Sequence, residues 1–207
     1  MCDKKIDKLI KGKTVFVIGS GPSLASAIPK LKNYKKIVKI AADSSIKPLV
    51  ANGIIPDIIV TDLDGDMKTL EKIGKTNSIF VVHAHGDNIE KLDIVKKFKN
   101  CIGTTQSTPF DKIKNYGGFT DGDRGVFLAN HFQAKKIILL GMDFGDQIGK
   151  YSETKKSDRK IKMIKLKKGE SLLKWLSSFA KAELFTTSKS IEGFKKISYK
   201  ELDIIIT

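Results

Sequence analysis

Short β-branched runs alternate with longer segments of helical period along most of the chain, and this alternation constrains the fold more than any other feature. Such a pattern is typical of a parallel sheet covered by helices. It predicts strands at residues 14–18, 37–41, 58–60, 79–82 and 137–140, and helices at 24–31, 46–52, 67–73, 88–98, 123–132 and 172–182. We therefore expect an α/β fold with a Rossmann-like, mostly parallel sheet in a single domain over residues 1–207.

The carboxyl-terminal part departs from this alternation. Residues 150–168 form a basic run that is too polar for a core, and we expect a mobile loop there. Beyond it, residues 183–186 and 203–206 have the composition of short C-terminal strands.

Composition and charge exclude several classes of protein. The two cysteines, Cys2 and Cys101, form no C-x-x-C pair, which argues against a disulfide framework or a cysteine zinc site. The sequence has neither the apolar run of a signal peptide nor the roughly 18 apolar residues of a membrane helix. We expect a cytoplasmic protein without a membrane partner, and the sequence does not distinguish a monomer from a homo-oligomer.

The formal charge of +15 favours the binding of anionic partners. Much of the lysine is scattered between apolar positions, as on a solvated surface. The sequence has no basic strand interleaved with aromatic residues and no recognisable nucleic-acid motif. We therefore expect no nucleic-acid partner, and we look to the phosphates of a nucleotide.

Glycine and polar residues directly follow five of the predicted strands. In a doubly wound sheet these positions share the carboxyl edge of the strands, where ligands bind. Their convergence predicts one site. In chain order the motifs are Gly19-Ser20-Gly21-Pro22-Ser23, Asp43, Thr61-Asp62-Leu63-Asp64-Gly65-Asp66, His83-Ala84-His85-Gly86-Asp87-Asn88 and Gly141-Met142-Asp143-Phe144-Gly145.

An acidic motif predicts a metal site at this edge. Asp62, Asp64 and Asp66 are spaced by two, so in an extended chain their carboxylates point to one side and repel unless a cation lies between them. Hard oxygen ligands suit Mg²⁺. The alternative is a solvated acidic turn with Asp66 as an N-cap.

A second acidic motif, in the segment 117–124, starts a predicted helix. Here Asp121 would complete the metal shell, Asp123 would be a further ligand, and Arg124 would approach a phosphate chain. The alternative is that the acidic residues serve only the helix dipole.

The glycine turn and the histidines allow two interpretations each. Backbone N–H groups of Gly19–Ser23 would cradle phosphate, or the turn is merely tight; it is neither a dinucleotide fingerprint nor a P-loop. His83 and His85 lack the further ligands of a zinc site. A polar wall for a substrate, or hydrogen bonding from Asp87 and Asn88, is the better interpretation.

Taken together, these motifs resemble those of the archaeal 6-hydroxymethyl-7,8-dihydropterin pyrophosphokinases, the MptE-like family. The resemblance is carried by five ordered motifs between residues 13 and 170: G-S-G-P-S-L at 19–24, P-D-I-I-V-T-D-L-D-G-D at 56–66, H-A-H-G-D-N at 83–88, G-G-F-T-D-G-D-R at 117–124 and G-M-D-F-G at 141–145. It implies transfer of a diphosphoryl group from ATP to a pterin, with Mg²⁺, in pterin biosynthesis.

A more distant similarity to thiamin pyrophosphokinases covers residues 42–66 and Thr120-Asp121. It implies Asp62, Asp64 and Asp121 as ligands of Mg²⁺ and ATP, and Asp43 as a substrate contact. Two departures from that pattern are Thr61, where a glycine is usual, and Ala41-Ala42-Asp43-Ser44-Ser45, where A-D-G-A is usual.

Basic residues would bind the triphosphate, and two rival activities remain. Arg124 and lysines of residues 150–168 would clamp it, with Lys162 or Lys165 as candidates because they lie nearest the predicted helix that anchors the far end of this segment. The segment would act as a lid, or it is a disordered, solvated loop. One rival activity is thiamin pyrophosphorylation. The other is a sialyltransferase-like nucleotide-sugar glycosyltransferase, which shares a G-x-G-P-S-L-like turn but predicts a catalytic histidine and no need for the acidic residues.

Overall fold

One eight-stranded, all-parallel sheet organises the protein, with strand order β5-β4-β3-β2-β1-β6-β7-β8. The structure is a computed structural model that describes residues 2–145, 147–152 and 156–206. The strands are β1 Thr14–Ile18, β2 Val38–Ala42, β3 Ile58–Thr61, β4 Ile79–His83, β5 Cys101–Thr104, β6 Lys136–Leu140, β7 Glu183–Thr186 and β8 Lys195–Lys196.

Seven α-helices and two 3₁₀ helices connect these strands within the described residues. The α-helices are α1 Cys2–Ile10, α2 Leu24–Leu31, α3 Asp43–Ala51, α4 Met67–Gly74, α5 Asp121–His131, α6 Arg159–Ser177 and α7 Leu202–Ile206; the 3₁₀ helices are Gly86–Lys97 and Lys156–Asp158. Among the described residues, no helix combines the length and apolar character that a membrane span requires.

The central strands are mostly apolar because both faces of the sheet are buried there. In β1, Val15 and Val17 pack into a core shared with α1, α5 and α6, while Phe16 and Ile18 pack into a second core with α2, α3 and α4. The alternation of side chains along a strand thus supplies both cores. The predicted α/β class is confirmed.

The basic segment 150–168 differs from the loop that its composition predicts. Helix α6 begins at Arg159, so residues 159–168 are helical and only 147–152 form a described loop before the 3₁₀ turn. Lysine and leucine are strong helix formers, and one face of α6 is sufficient to dock it, through Gly169, Leu173 and Leu176. Lys155, in the same segment, lies outside the described residues.

The ends of the chain also differ from prediction. The β-branched run 203–206 lies in helix α7 rather than a strand, and Leu202 anchors that helix in the core. The sequence did not predict α1, β5 or β8. Edge strand β5 contains Cys101 and Gly103, β8 has two residues, and neither has the β-branched run that marks a buried strand.

The strand order places a topological switch between β1 and β6. From β1 the chain adds strands outward to β5 on one side, then returns to add β6, β7 and β8 on the other. This switch point, at the carboxyl edge of the sheet, is the general position of ligand sites in such folds.

Candidate active site

A cavity of about 930 Å³ opens at this carboxyl edge. The residues lining it come from the loops after β1, β2, β3, β4, β5 and β6 and from the first turns of α5 and α6. The motifs that follow the predicted strands therefore meet at one place. The volume is at the upper end of the range for small-molecule sites and leaves room for more than one ligand.

Four aspartates form an acidic cluster on the wall of this cavity. Carboxylate oxygens of Asp43, Asp62, Asp64 and Asp121 all lie within 4.8 Å of one another. Asp43 is the first residue of α3 and Asp121 the first of α5, while Asp62 directly follows β3. The structure thus brings together the predicted trio of Asp62, Asp64 and Asp121. It adds Asp43, which was predicted only as a substrate contact, as the most buried member.

The loop after β3 is shaped by a buried leucine. Leu63 has a left-handed backbone, with φ 67°, and its side chain is fully buried in the core between the two acidic neighbours. Its N–H donates to Thr61 Oγ1 at 2.8 Å, and the Thr61 hydroxyl in turn donates to Asp43 Oδ2. A non-glycine residue in this conformation is strained, and the packing and hydrogen bonds hold it there.

Close approach of Gly65 completes the contact between the start of α3 and the loop after β3. Gly65 N–H donates to Asp43 Oδ2 at 3.1 Å, and a Cβ at this position would lie 2.0 Å from Asp43 Oδ1. Only glycine lets the backbone approach the buried carboxylate this closely.

The carboxylates of the cluster disfavour one another's charge. Burial raises the pKa of Asp43 to about 6. Burial, with the neighbouring Asp62 charge, raises the pKa of Asp64 to about 7. The pKa of Asp121 is raised well above its ordinary range by burial and by the charges of the other three aspartates. Such a cluster is stabilised by any cation that binds it.

Two oxygens of the cluster are buried without a hydrogen-bond partner among the described residues, Asp43 Oδ1 and Asp62 Oδ1. Buried carboxylate oxygens without a partner are costly. Hard anionic oxygens at this spacing are the donor set that Mg²⁺ prefers. The residues present therefore fit a divalent cation.

Two other aspartates have local roles, and the structure corrects one prediction. The carboxylate of Asp123 accepts hydrogen bonds from Phe119 N–H and from the Thr120 N–H and hydroxyl, as part of the N-cap of α5. It points away from the cluster, so we remove Asp123 from the candidate ligands. Asp66 caps α4 by accepting from Thr69 N–H at 3.0 Å, which was the alternative interpretation of that residue.

The glycine turn is held by the protein rather than left free for a phosphate. Gly19 N–H donates to Leu140 O, Gly21 N–H to Gly141 O, and Ser23 N–H to Asp143 Oδ2. Pro22 has no N–H, so Ser20 supplies the one N–H of the turn without a described partner. A Cβ on Gly21 would lie 2.3 Å from Asp143 Oδ2, so the glycine serves the contact with the loop after β6.

The predicted cradle is therefore reduced to Ser20 and the cavity face of Gly19 and Gly21. Pro22 and Ser23 are not part of the cavity wall. Ser20 Oγ lies 2.7 Å from Ser44 Oγ, which joins the loop after β1 to the first turn of α3.

The motif after β4 divides into structural and cavity-facing residues. Asn88 is buried, and its side chain donates to Asp62 O and His83 O at 2.7 Å each and accepts from His85 N–H at 3.1 Å. It braces two loops and does not reach the cavity, contrary to its prediction as a substrate contact. Asp87 lies at the cavity rim with its side chain 96% exposed.

The two histidines both line the cavity and have different environments. His85 Nε2 lies 3.6 Å from Asp62 Oδ2, and His85 Nδ1 accepts from Asp87 N–H at 3.3 Å. His83 is buried, and burial together with the Arg124 charge lowers its pKa to about 4, so it is neutral. In the described residues neither histidine belongs to a metal cluster.

Basic side chains line the same cavity as the acidic cluster. Arg124 projects from the first turn of α5, and Lys162 and Lys165 from the first turns of α6. The Lys162 charge opposes the rise in the pKa of Asp64. Sequence reasoning missed Lys47 and Gln106 of this wall, which belong to no motif, and gave no role to Phe119 in the 117–124 motif or to Tyr151 in the basic segment.

A solved structure shares the fold. The MAf glycosyltransferase from Magnetospirillum magneticum AMB-1 superposes with a TM-score of 0.67 at 19% identity, over 95% of this chain and 37% of that one. The chain spans about a third of that protein's length. At this identity the similarity shows the fold alone.

Three archaeal relatives are each named 6-hydroxymethyl-7,8-dihydropterin pyrophosphokinase. The protein of Methanocaldococcus jannaschii is 46% identical, over 83% of this chain and 78% of the relative. The proteins of Pyrococcus furiosus and Methanothermobacter thermautotrophicus are 42% and 38% identical, over 89% and 84% of this chain and 80% and 78% of the relatives.

Residues 1–149 match the family model described as 6-hydroxymethylpterin diphosphokinase MptE-like, and this span includes every member of the acidic cluster. The resemblance seen in the five sequence motifs is thereby confirmed. The chain belongs to the MptE-like family of 6-hydroxymethylpterin diphosphokinases.

Proposed function

We propose that this protein transfers a diphosphoryl group from ATP to the hydroxymethyl group of 6-hydroxymethyl-7,8-dihydropterin and releases AMP. The observation that carries the proposal is the acidic cluster of Asp43, Asp62, Asp64 and Asp121 in a cavity that basic side chains also line, in a chain of this family. The names of its three archaeal relatives support the choice of acceptor.

The acidic cluster would hold Mg²⁺. Asp43 Oδ1 and Asp62 Oδ1, which are buried and unpartnered, support this assignment, and Asp64 lines the same cavity. When bound there, Mg²⁺ would neutralise phosphate charge and help to align the phosphate chain. Asp121 would serve as the fourth candidate ligand, from the start of α5.

The basic residues would bind the triphosphate within the same cavity. Arg124, Lys162 and Lys165 line the cavity and would contact phosphate oxygens. They would also stabilise the negative charge that develops on AMP as it leaves. In this assignment α6, rather than a mobile loop, carries the two lysines.

In the reaction, the acceptor's hydroxymethyl oxygen attacks the β-phosphorus of ATP in line. A new P–O bond forms as the bond between the β-phosphorus and the oxygen bridging to the α-phosphorus breaks, and that electron pair leaves with AMP. The hydroxyl proton is released. Because the transition state of phosphoryl transfer is loose, the protein contributes mainly position and charge.

The nucleotide would lie over the switch between β1 and β6. Ser20, Gly19 and Gly21 form that part of the wall, with the loop after β6 opposite them. The acceptor would then occupy the part of the cavity toward β4, where His85 and Asp87 supply polar contacts.

The proposal is tested by an acceptor panel. The protein is incubated with ATP and Mg²⁺ and either 6-hydroxymethyl-7,8-dihydropterin or thiamin, and AMP is quantified. We expect kcat/KM for the pterin to exceed that for thiamin by at least about 100-fold, because hydrogen bonds to a matched heterocycle discriminate strongly. AMP formation with thiamin alone would move the assignment to thiamin pyrophosphorylation, and AMP formation with neither acceptor would overturn it.

A further inference from the structure

Arg124 occupies a position that is unfavourable for a cation. Its side chain is 6% exposed, and it projects from the first turn of α5, where the helix dipole disfavours positive charge. Nearby carboxylates of Asp121, Asp123 and Asp62 oppose the fall in its pKa that burial causes. A buried charge needs a fixed geometry as well as opposite charges.

Two side chains fix one corner of the guanidinium. Arg124 Nη2 lies 3.3 Å from His83 Nε2 and 3.4 Å from Gln106 Oε1. Among the described residues these are the hydrogen bonds that the guanidinium makes, and they all use Nη2. Nε and Nη1 therefore remain available to a ligand in the cavity that Arg124 lines.

The contact with Arg124 determines the state of His83. An arginine N–H can only donate, so His83 Nε2 must accept, and the imidazole is neutral with its proton on Nδ1. The lowered pKa of His83, caused by burial and the Arg124 charge, agrees with this state. Its Nε2 lone pair is occupied, so His83 is not free to take a proton from a substrate.

His83 makes this contact at a cost to itself. Its Nδ1 is buried and has no hydrogen-bond partner among the described residues. An unsatisfied buried donor is destabilising, and an apolar side chain of similar size would avoid it. The cost is explained if a neutral acceptor is needed at this point in the cavity wall.

We propose that His83 and Gln106 are positioning residues for Arg124, holding Nη2 so that Nε and Nη1 face the phosphate oxygens of a bound triphosphate. This inference rests on the proposed function, in which Arg124 binds the triphosphate. Neither residue contacts the reacting atoms. Each acts through the orientation of the guanidinium.

The test is a double-mutant cycle between His83→Leu and Arg124→Ala, measured as kcat/KM for ATP. Loss of a hydrogen bond to a charged group should lower this value by about 10- to 100-fold in the wild-type background. In the Arg124→Ala background the same substitution should change it less than about 3-fold, because the group it positions is gone. His83→Gln, which can offer an amide oxygen as acceptor, should retain most of the activity.

Gln106→Ala provides a variant whose folding is not at risk, because that side chain is exposed. Its loss should also depend on Arg124. The matched control is Gln147→Ala, which removes the same side chain from the same cavity wall without a described contact to Arg124. Gln147→Ala should change kcat/KM by the same factor in the wild-type and Arg124→Ala backgrounds, as expected for residues that are not coupled.

The positioning role would be overturned if His83→Leu and Gln106→Ala each lowered kcat/KM by the same factor in the Arg124→Ala background as in the wild type. The same cycle is read on ATP affinity without any acceptor, by calorimetry with Mg²⁺ present. If the wild type binds ATP but makes no AMP with the pterin, the proposed function fails while coupling among His83, Gln106 and Arg124 still confirms or refutes their role.

Discussion

The acidic cluster predicts that the charge of Asp43 lowers the stability of the metal-free protein while it contributes to metal binding. The substitution Asp43→Asn tests this prediction. The hydrogen bonds from Thr61 Oγ1 and Gly65 N–H both reach Oδ2 of Asp43. An asparagine whose carbonyl oxygen takes that place keeps them. Its amide group then replaces the unpartnered Oδ1 and offers donors to the neighbouring carboxylates. The variant therefore loses the charge and little else.

The magnitude follows from the pKa of Asp43, which rises from 3.8 to about 6 on folding. A shift of about two units corresponds to roughly 3 kcal/mol of folding free energy lost when the group ionises. Because the folded pKa is raised, this cost is absent below about pH 4, grows as the pH rises through the folded pKa, and is complete above about pH 7. Without metal at pH 8, Asp43→Asn should be more stable by about 3 kcal/mol, or roughly 6–12 °C in Tm.

The assay is thermal and urea unfolding in a chelator at pH 8 and pH 4, repeated with Mg²⁺ and ATP. The advantage should shrink below about 1 kcal/mol at pH 4, and the stabilisation by Mg²⁺ and ATP should be lost in the variant. Asp93→Asn, at an exposed site, is the control and should change stability by less than about 0.5 kcal/mol. A variant that is less stable than wild type at pH 8, or that gains equally at both pH values, would refute the account of a repulsive cluster.

Three further predictions concern the same site. Asp64→Asn should blunt the rise in Tm that Mg²⁺ with ATP produces, and an undiminished rise would remove Asp64 from the ligands. Lys162→Ala or Lys165→Ala should lower kcat/KM for ATP by about 10-fold or more, whereas Lys160→Ala, on the same helix but outside the cavity wall, should not; equal losses for all three would indicate a nonspecific charge effect. Asn88→Ala should destabilise the protein by roughly 3 kcal/mol in urea unfolding, because three buried hydrogen bonds are lost, and a change below 1 kcal/mol would contradict its bracing role.

The sequence predicted the central strands well because their signal is local. Strands β1, β3 and β6 are buried on both faces, so each reads as a short β-branched run with turn residues behind it. Helix α2 has the predicted bounds for the same reason, since its apolar spacing is complete within 24–31. The prediction missed the first part of helix α6. Its first two turns lie on the surface, and a lysine-rich surface helix has the same composition as a disordered basic loop.

The site was only partly predictable because its contacts are made in three dimensions. The spacing of Asp62 and Asp64 indicated a metal site, but Asp43 joins them only because β2 and β3 are neighbours in the sheet. Asp121 and Asp123 illustrate the opposite case. Residues two apart on a helix do not share a face, so a helix beginning at Asp121 can direct only one of them into the cluster. The sequence predicted that this helix begins at residue 123, so it did not show that Asp121 and Asp123 lie on different faces of one helix.

The glycine turn shows where composition is ambiguous. Glycines permit a backbone to approach either a phosphate or another segment of the protein. In this chain Gly19 and Gly21 lie against the loop after β6, at 141–143, and use their N–H groups there. Nothing in the five letters of the turn distinguishes these two uses.

The most direct test of the account follows the phosphorus atoms of ATP. The protein is incubated with 6-hydroxymethyl-7,8-dihydropterin, Mg²⁺ and ATP labelled at either the α- or the γ-phosphorus, and the products are separated. The account predicts that the γ-label appears in a pterin diphosphate and the α-label in AMP, in equal amounts. A pterin monophosphate formed with ADP, or ADP and free phosphate without any pterin product, would contradict it.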